Sequence, residues 1–155
     1  MKIRMANNAD QPQIIRLVKT VLREFGFDYA PESSEADLQN IEDHYLRLGG
    51  VFLLMENNEQ ELIATGALKR LEEGSFKIRK MYVAKPHRGK GYGKDILIRL
   101  LEIAQKEMAS IIILETSSSM LSAINLYKSH GFEMTDEKPD SPRCDISMTK
   151  KLNAR

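Results

Sequence analysis

The stretch PHRGKGYGKD at residues 86–95 constrains the fold more than any other. An extended run, SFKIRKMYVAK, leads into it, and a helical stripe of Leu97, Leu100, Leu101, Ala104 and Met108 follows. Gly89, Gly91 and Gly93 therefore fall on a strand-to-helix corner, where the first amides of the helix lack intrahelical partners and the helix dipole is positive. Glycines there permit left-handed backbone and let an anion approach the main chain. Arg88, Lys90 and Lys94 add positive charge. The corner predicts a phosphate or pyrophosphate seat; a tight turn carrying lysines is the plainer alternative. Two nucleotide patterns do not fit. A P-loop would need glycine at Arg88 and Ser or Thr at Asp95, and the dinucleotide GxGxxG pattern would need glycine at Lys94 or Ile96.

The rest of the chain supplies a mixed set of elements. KIRMA at 2–6 reads as a strand, and Asp10 as the cap of a helix whose stripe is Ile14, Leu17, Val18, Val21, Leu22 and Phe25, stopped by Gly26. Ser33 or Ser34 caps a second helix to about Arg47, with Leu38, Ile41, Tyr45 and Leu48 on one side. VFLLMENNEQELIATGALKRL reads as a hairpin. In the strand before the glycines, Phe76, Ile78 and Tyr82 share one alternation until Met81 and Val83 shift it; a β-bulge and a strand end buried on both faces both explain the break. IIILET is a buried strand, SSSMLSAINLYKSHGF a Ser-capped helix closed by Gly131, and two short strands end the chain. The expected fold is mixed α/β in the order β-α-α-β-β-β-α-β-α-β-β, one domain over 1–155 with helices on both faces of a central sheet.

Charge and cysteine content narrow the function. Twenty-three Lys and Arg against 22 Asp and Glu give a net charge of +1, too little to draw the chain to nucleic acid. A single cysteine, Cys144, forms no intrachain disulfide, and MKIRMANNAD has no apolar signal core, which favours a reducing cytoplasmic setting. No apolar run approaches the roughly 20 residues of a membrane span, and no His, Cys and carboxylate spacing suggests a metal. Cys144 reads as a buried strand residue.

MYVAKPHRGKGYGKDIL resembles the acetyl-CoA signature of the GNAT superfamily of N-acetyltransferases, Arg or Gln, two residues, Gly, one residue, Gly or Ala, filled here by Arg88, Gly91 and Gly93. AINLYKSHGF is similar to the family's second element, AxxxYxxxGF, through Ala123, Tyr127, Gly131 and Phe132. The resemblance implies transfer of an acetyl group from acetyl-CoA, without metal, to a primary amine of a small molecule, amino acid or peptide by direct attack in a ternary complex. A non-catalytic acyl-CoA-binding module is the alternative, and a homodimer is left open.

It also implies roles. Backbone amides from Gly89 through Lys90, Gly91, Tyr92 and Gly93 to Lys94 would hold the pyrophosphate, Met81 and Val83 would pair with the pantetheine arm in a splay between strands 76–84 and 111–116, and Asn125 would bond that arm. Tyr127 would protonate the departing thiolate; packing in the core is its plainer role. Many family members carry Glu where this chain has Lys77, so Glu115 on the neighbouring strand is the candidate base, or else a solvated strand-end carboxylate. Phe25, Phe27 and Tyr29 are candidate acceptor-pocket residues or core staples. Lys77 and Arg79 would favour an acceptor with a carboxylate, or simply face solvent.

Overall fold

A computed structural model of the chain describes residues 1–72 and 74–152. Its strands are β1 (Lys2–Met5), β2 (Val51–Glu56), β3 (Leu62–Arg70), β4 (Ser75–Val83), β5 (Ile111–Thr116), β6 (Glu133–Thr135) and β7 (Ile146–Lys151), and its α-helices α1 (Gln11–Glu24), α2 (Ile41–His44), α3 (Tyr92–Lys106) and α4 (Leu121–Ser129). One sheet runs β1-β2-β3-β4-β5-β7-β6. Every neighbouring pair is antiparallel except β4–β5, which is parallel and registers only over Ser75↔Ile111, Phe76↔Ile112 and Lys77↔Ile113. Beyond Lys77 the two strands part, while β5 stays paired with β7 to Thr116. The splay opens toward the glycine corner.

The break in alternation on β4 is a β-bulge. Thr65 pairs with Tyr82 and Ala67 with Arg79, so Lys80 and Met81 together face Gly66. Lys80 takes a left-handed backbone, φ 55°, and its carbonyl accepts a 2.6 Å hydrogen bond from Thr65 Oγ1. The extra residue turns Met81 and Val83 toward the α3 face, where they join Phe76 and Ile78, and Tyr82 toward the α1 face. Gly66 makes this possible, since a Cβ there would lie 2.4 Å from Ile96 and 2.7 Å from Met81 Sδ.

Two apolar layers hold the sheet. On one face Leu97, Leu100 and Ala104 of α3, with Tyr127 and Phe132, pack on Phe76, Ile78, Ile112 and Leu114. On the other, Ile14, Val18 and Leu22 of α1 join Leu38, Ile41 and Tyr45 over Phe52, Leu54 and Ala67.

Several expectations are corrected. The second helix breaks into 3-10 turns at Ala36–Gln39 and Leu46–Leu48 around the single turn α2, because Asn40 is extended (φ −154°, ψ 90°) and caps Asp43 instead of continuing the helix. Neither Ser33 nor Ser34 caps it, and Leu48 is exposed. Asp10 makes no side-chain cap; its carboxylate accepts from Arg4 and the Asn7 amide. Helix α4 likewise has Met120 at its N-cap position with no side-chain cap. Met108 lies past the end of α3 at φ 60°, exposed. Cys144 is half-buried in the loop before β7.

Candidate active site

Three connected cavities cross the splay. A cleft of about 490 Å³ runs along the glycine corner between β4 and α4. A throat of about 80 Å³, walled by Met81, Tyr82, Leu114, Tyr127, Arg143 and Cys144, passes between the parted strands. It leads to a second cleft of about 520 Å³ on the α1 side, bounded by Ser33–Glu35, β4 and Asp140–Cys144. Tyr82 borders all three.

The first cleft is made from main chain. Gly89 and Gly91 are left-handed (φ 76° and 85°), and a Cβ at either would meet no protein atom within 4 Å. Gly91 occupies the N-cap of α3, no side chain caps that helix, and the first helical bond to Gly91 comes from the Asp95 amide at 3.0 Å. The amides of Tyr92, Gly93 and Lys94 are thus left for an anion, so the corner fits a diphosphate. Arg88, Tyr92, Gly93 and Lys94 line the cleft with Met81 and Val83; Lys90 and Asn125 are exposed outside the lining. Arg88 is already engaged: Nε donates to the Val83 carbonyl at 2.9 Å, and the terminal nitrogens grip Glu24 of α1 at 2.8 and 3.0 Å.

Tyr127 stands where the first cleft meets the throat. The left-handed stop at Gly131 (φ 90°) ends α4 and lets Phe132 pack edge-on to the Tyr127 ring at 5.8 Å. Burial, with smaller contributions from Tyr82 and Cys144, pushes its hydroxyl well above the ordinary tyrosine value. It therefore carries its proton at neutral pH.

The second cleft is held by ion pairs. Glu35, fully buried, accepts from both terminal nitrogens of Arg143 at 2.9 Å and from the Ala30 amide at 2.8 Å, with Lys80 Nζ at 3.5 Å. Lys80 also donates to the Ser34 carbonyl at 2.9 Å and lies 3.4 Å from Asp37, which accepts the Tyr45 hydroxyl and has Arg79 at 3.5 Å. Burial pushes the Lys80 ammonium down against the pull of Asp37 and Glu35. Burial also pushes the Glu35 carboxyl up, but Arg143, the Ala30 amide and Lys80 outweigh it and leave the group below its ordinary value.

Glu115 is similarly committed. Lys77 lies 3.2 Å away and the Asp140 and Ser141 amides donate at 2.9 and 3.3 Å, so despite burial its carboxyl falls below the ordinary range. Both features weaken it as a proton acceptor and suit it to tying the 140–145 loop to β5. Phe25 borders the first cleft and the throat and Phe27 the throat, whereas Tyr29 lies outside all three linings, beneath Lys19. Lys77 and Arg79 both line the second cleft, with side chains only 16% and 25% exposed.

Sequence reasoning missed Glu35, Lys80, Arg143 and the lining role of Cys144. Gly66 inside a strand was the usable signal for the bulge; Glu35 and Arg143, 108 residues apart, share no motif.

The model of the acetyltransferase (GNAT) family matches residues 15–132. Human N-acetyltransferase 8B is 31% identical over 114 residues, 70% of this chain and 50% of that protein. The uncharacterized N-acetyltransferase YjgM of Escherichia coli K12 is 29% identical over 151 residues, 92% of this chain and 90% of that one. The chain thus spans about half the length of the mammalian relatives it matches and nearly all of the bacterial one. A GNAT-family acetyltransferase from Staphylococcus aureus Mu50 superposes with a TM-score of 0.91 at 25% identity, covering 98% of this chain and 99% of that one. YncA of Salmonella typhimurium, solved with acetyl-CoA, shares the fold with a TM-score of 0.78 at 20% identity, covering 100% and 95%. The matched segment takes in α1 from Ile15 onward, the bulge, the glycine corner and the Tyr127 helix through Phe132, and the chain belongs to the acetyltransferase (GNAT) family.

Proposed function

We propose that the chain transfers the acetyl group of acetyl-CoA to a primary amine, the two substrates meeting in one ternary complex. The observation that carries this reading is the throat: it joins a cleft suited to a diphosphate with a polar cleft on the other side, and Tyr127 stands at the junction. Acetyl-CoA supplies a thioester carbonyl and a thiolate leaving group. The amides of Gly89 to Lys94 hold its diphosphate, and the β4 edge freed by the splay at Met81 and Val83 pairs with its amide-bearing arm. A main-chain N–H on that edge stabilises the carbonyl oxygen as it gains charge. The Tyr127 hydroxyl donates its proton to sulfur as the C–S bond breaks and the C–N bond forms. The nitrogen enters from the second cleft past Phe27 and Tyr82 and sheds its proton to water there, because Glu115 is fully engaged by Lys77 and two amides.

Acetyl-CoA-dependent thiol release across an amine panel tests this. Tyr127→Phe is expected to lower kcat by about 10²–10⁴-fold, the scale of a lost general acid, with the Kd for acetyl-CoA changed less than about twofold. Acetyl-CoA binding without turnover on any amine, or a Tyr127→Phe enzyme as fast as wild type, would overturn it.

A further inference from the structure

Resting on that reading, we infer that the acceptor amine carries an anionic group, carboxylate or phosphate, several bonds from its nitrogen, and that Lys69 and Lys77 receive that anion with Arg79 on the inner side. The β3–β4 register sets Lys69 directly opposite Lys77, and both line the second cleft with Arg79, two residues further along the same face. Like charges directly across an antiparallel pair repel. Lys77 is offset by Glu115 at 3.2 Å and by the outlying Asp140 at 3.9 Å, but no carboxylate of the described residues lies within ion-pair distance of Lys69. Five cations, Lys69, Lys77, Arg79, Lys80 and Arg143, border this cleft against the carboxylates of Glu35, Glu115 and Asp140. Lys80 and Arg143 are spent on Glu35 and Asp37, and Arg79 is partly engaged, by Asp37 at 3.5 Å and by the Ser34 carbonyl, which accepts from it at 3.0 Å. With Asp37 counted, four carboxylates face the five cations, and the one lining cation without a carboxylate partner among the described residues is Lys69, at the outer end beside Lys77, in a chain whose net charge is only +1.

Position then sets the shape of the acceptor. The throat opens at Tyr82, five residues along β4 from Lys77. At about 3.3 Å of rise per residue the backbone separation is roughly 15 Å, and the lysine arms shorten it only in part. An α-amino acid, whose amine and carboxylate share one carbon, does not span it; an ω-amino acid, a peptide-like chain or an aminoalkyl phosphate does.

The test is a length and charge series measured by thiol release: glycine, 4-aminobutyrate, 6-aminohexanoate and 8-aminooctanoate, with hexylamine and 6-aminohexanamide as uncharged counterparts and 6-aminohexyl phosphate as the phosphate arm. Expected is a kcat/KM about tenfold or more higher for the long anionic acceptors than for glycine or the uncharged amines, fading at high salt. The faster of the carboxylate and phosphate arms identifies the anion. The preference should vanish in Lys69→Glu and return in Lys69→Arg. Equal rates with charged and uncharged acceptors, or a preference undiminished in Lys69→Glu, would overturn the inference. Should no amine be acetylated, the acetyl-transfer reading fails on its own, and titration of 6-aminohexanoate against 6-aminohexanamide into the CoA-bound protein decides the anion seat. Tighter binding of the acid by wild type but not by Lys69→Glu upholds it, and equal binding refutes it.

Discussion

The cleft along the glycine corner and the cleft on the α1 side meet at one throat but are held in different ways. The first is main chain: two left-handed glycines, an uncapped helix start and a strand edge released where β4 and β5 part. The second is side chain: Glu35 and Asp37 from the loop after α1, Arg79 and Lys80 from β4, and Arg143 from the loop before β7, locked charge to charge. A main-chain site suits a ligand group that is the same for every turnover, since few side chains intrude on it. A side-chain site can change its acceptor by substitution, and the strained bulge at Lys80 is where the two join.

If the two sides are built independently, cutting the ionic one should leave the other standing. The largest effect is expected from Glu35→Gln, which leaves Arg143 and Lys80 without their shared buried carboxylate and should cost about 3 kcal/mol of stability. Acetyl-CoA binding by the folded fraction should hold within about twofold, measured by titration below the lowered Tm. The pH dependence follows from the same carboxyl. Its folded value is depressed, so its contribution is present above the unfolded value of about 4.3 and is lost as pH falls through the folded one. Glu35→Gln should therefore flatten the acid limb of the stability profile below about pH 4.3. A parallel loss of CoA affinity would show that the two clefts are one mechanical unit.

The same contrast explains what could be read from the chain. The glycine corner, the element order and the AxxxYxxxGF helix were legible because local spacing dictates them: Gly91 must be left-handed at the N-cap and Gly131 at the end of α4. The broken alternation at Met81 and Val83 exposed the bulge as one of two alternatives, and the register decides for it. The side-chain cleft was not legible. Lys80 looks like any strand lysine until the bulge buries it, and Glu35 has no local signal because its partner lies 108 residues away. Ser33, Ser34 and Asp10 misled as helix caps, since Arg4 and the Asn7 amide take the Asp10 carboxylate and the second helix opens on a 3-10 turn with Glu35, not a serine, at its N-cap position.

Gly91→Val probes the main-chain side and ranks next. At φ 85° a β-branched residue is strained by about 1–2 kcal/mol, but an added Cβ meets no protein neighbour within 4 Å, so the fold should survive. The space the side chain takes is the proposed diphosphate seat. Acetyl-CoA affinity is expected to fall about a hundredfold or more, while the acid limb set by Glu35 keeps its shape. Unchanged affinity in a folded variant would remove the corner from cofactor binding.

The smallest effect is expected where the two constructions touch, at the Arg88–Glu24 pair. Arg88 belongs to the glycine corner, yet its guanidinium is gripped by the last residue of α1, the helix that leads into Phe27 and the Glu35 loop. The pair is partly exposed, 34% and 20%, so it is worth at most about 1 kcal/mol. Glu24→Gln removes a negative charge beside the proposed diphosphate seat and frees the two terminal nitrogens, while Nε keeps its bond to Val83. Release of charge should outweigh loss of the tether, because the Val83 bond and the ring of Phe25, 5.8 Å away, still hold the arginine. Acetyl-CoA should then bind a few-fold more tightly at low salt, with the gain erased near 1 M salt, where the Debye length shrinks to about 3 Å. Weaker binding that ignores salt would instead mean that Glu24 aims the glycine corner, and that α1 carries the acceptor side's geometry into the cofactor side.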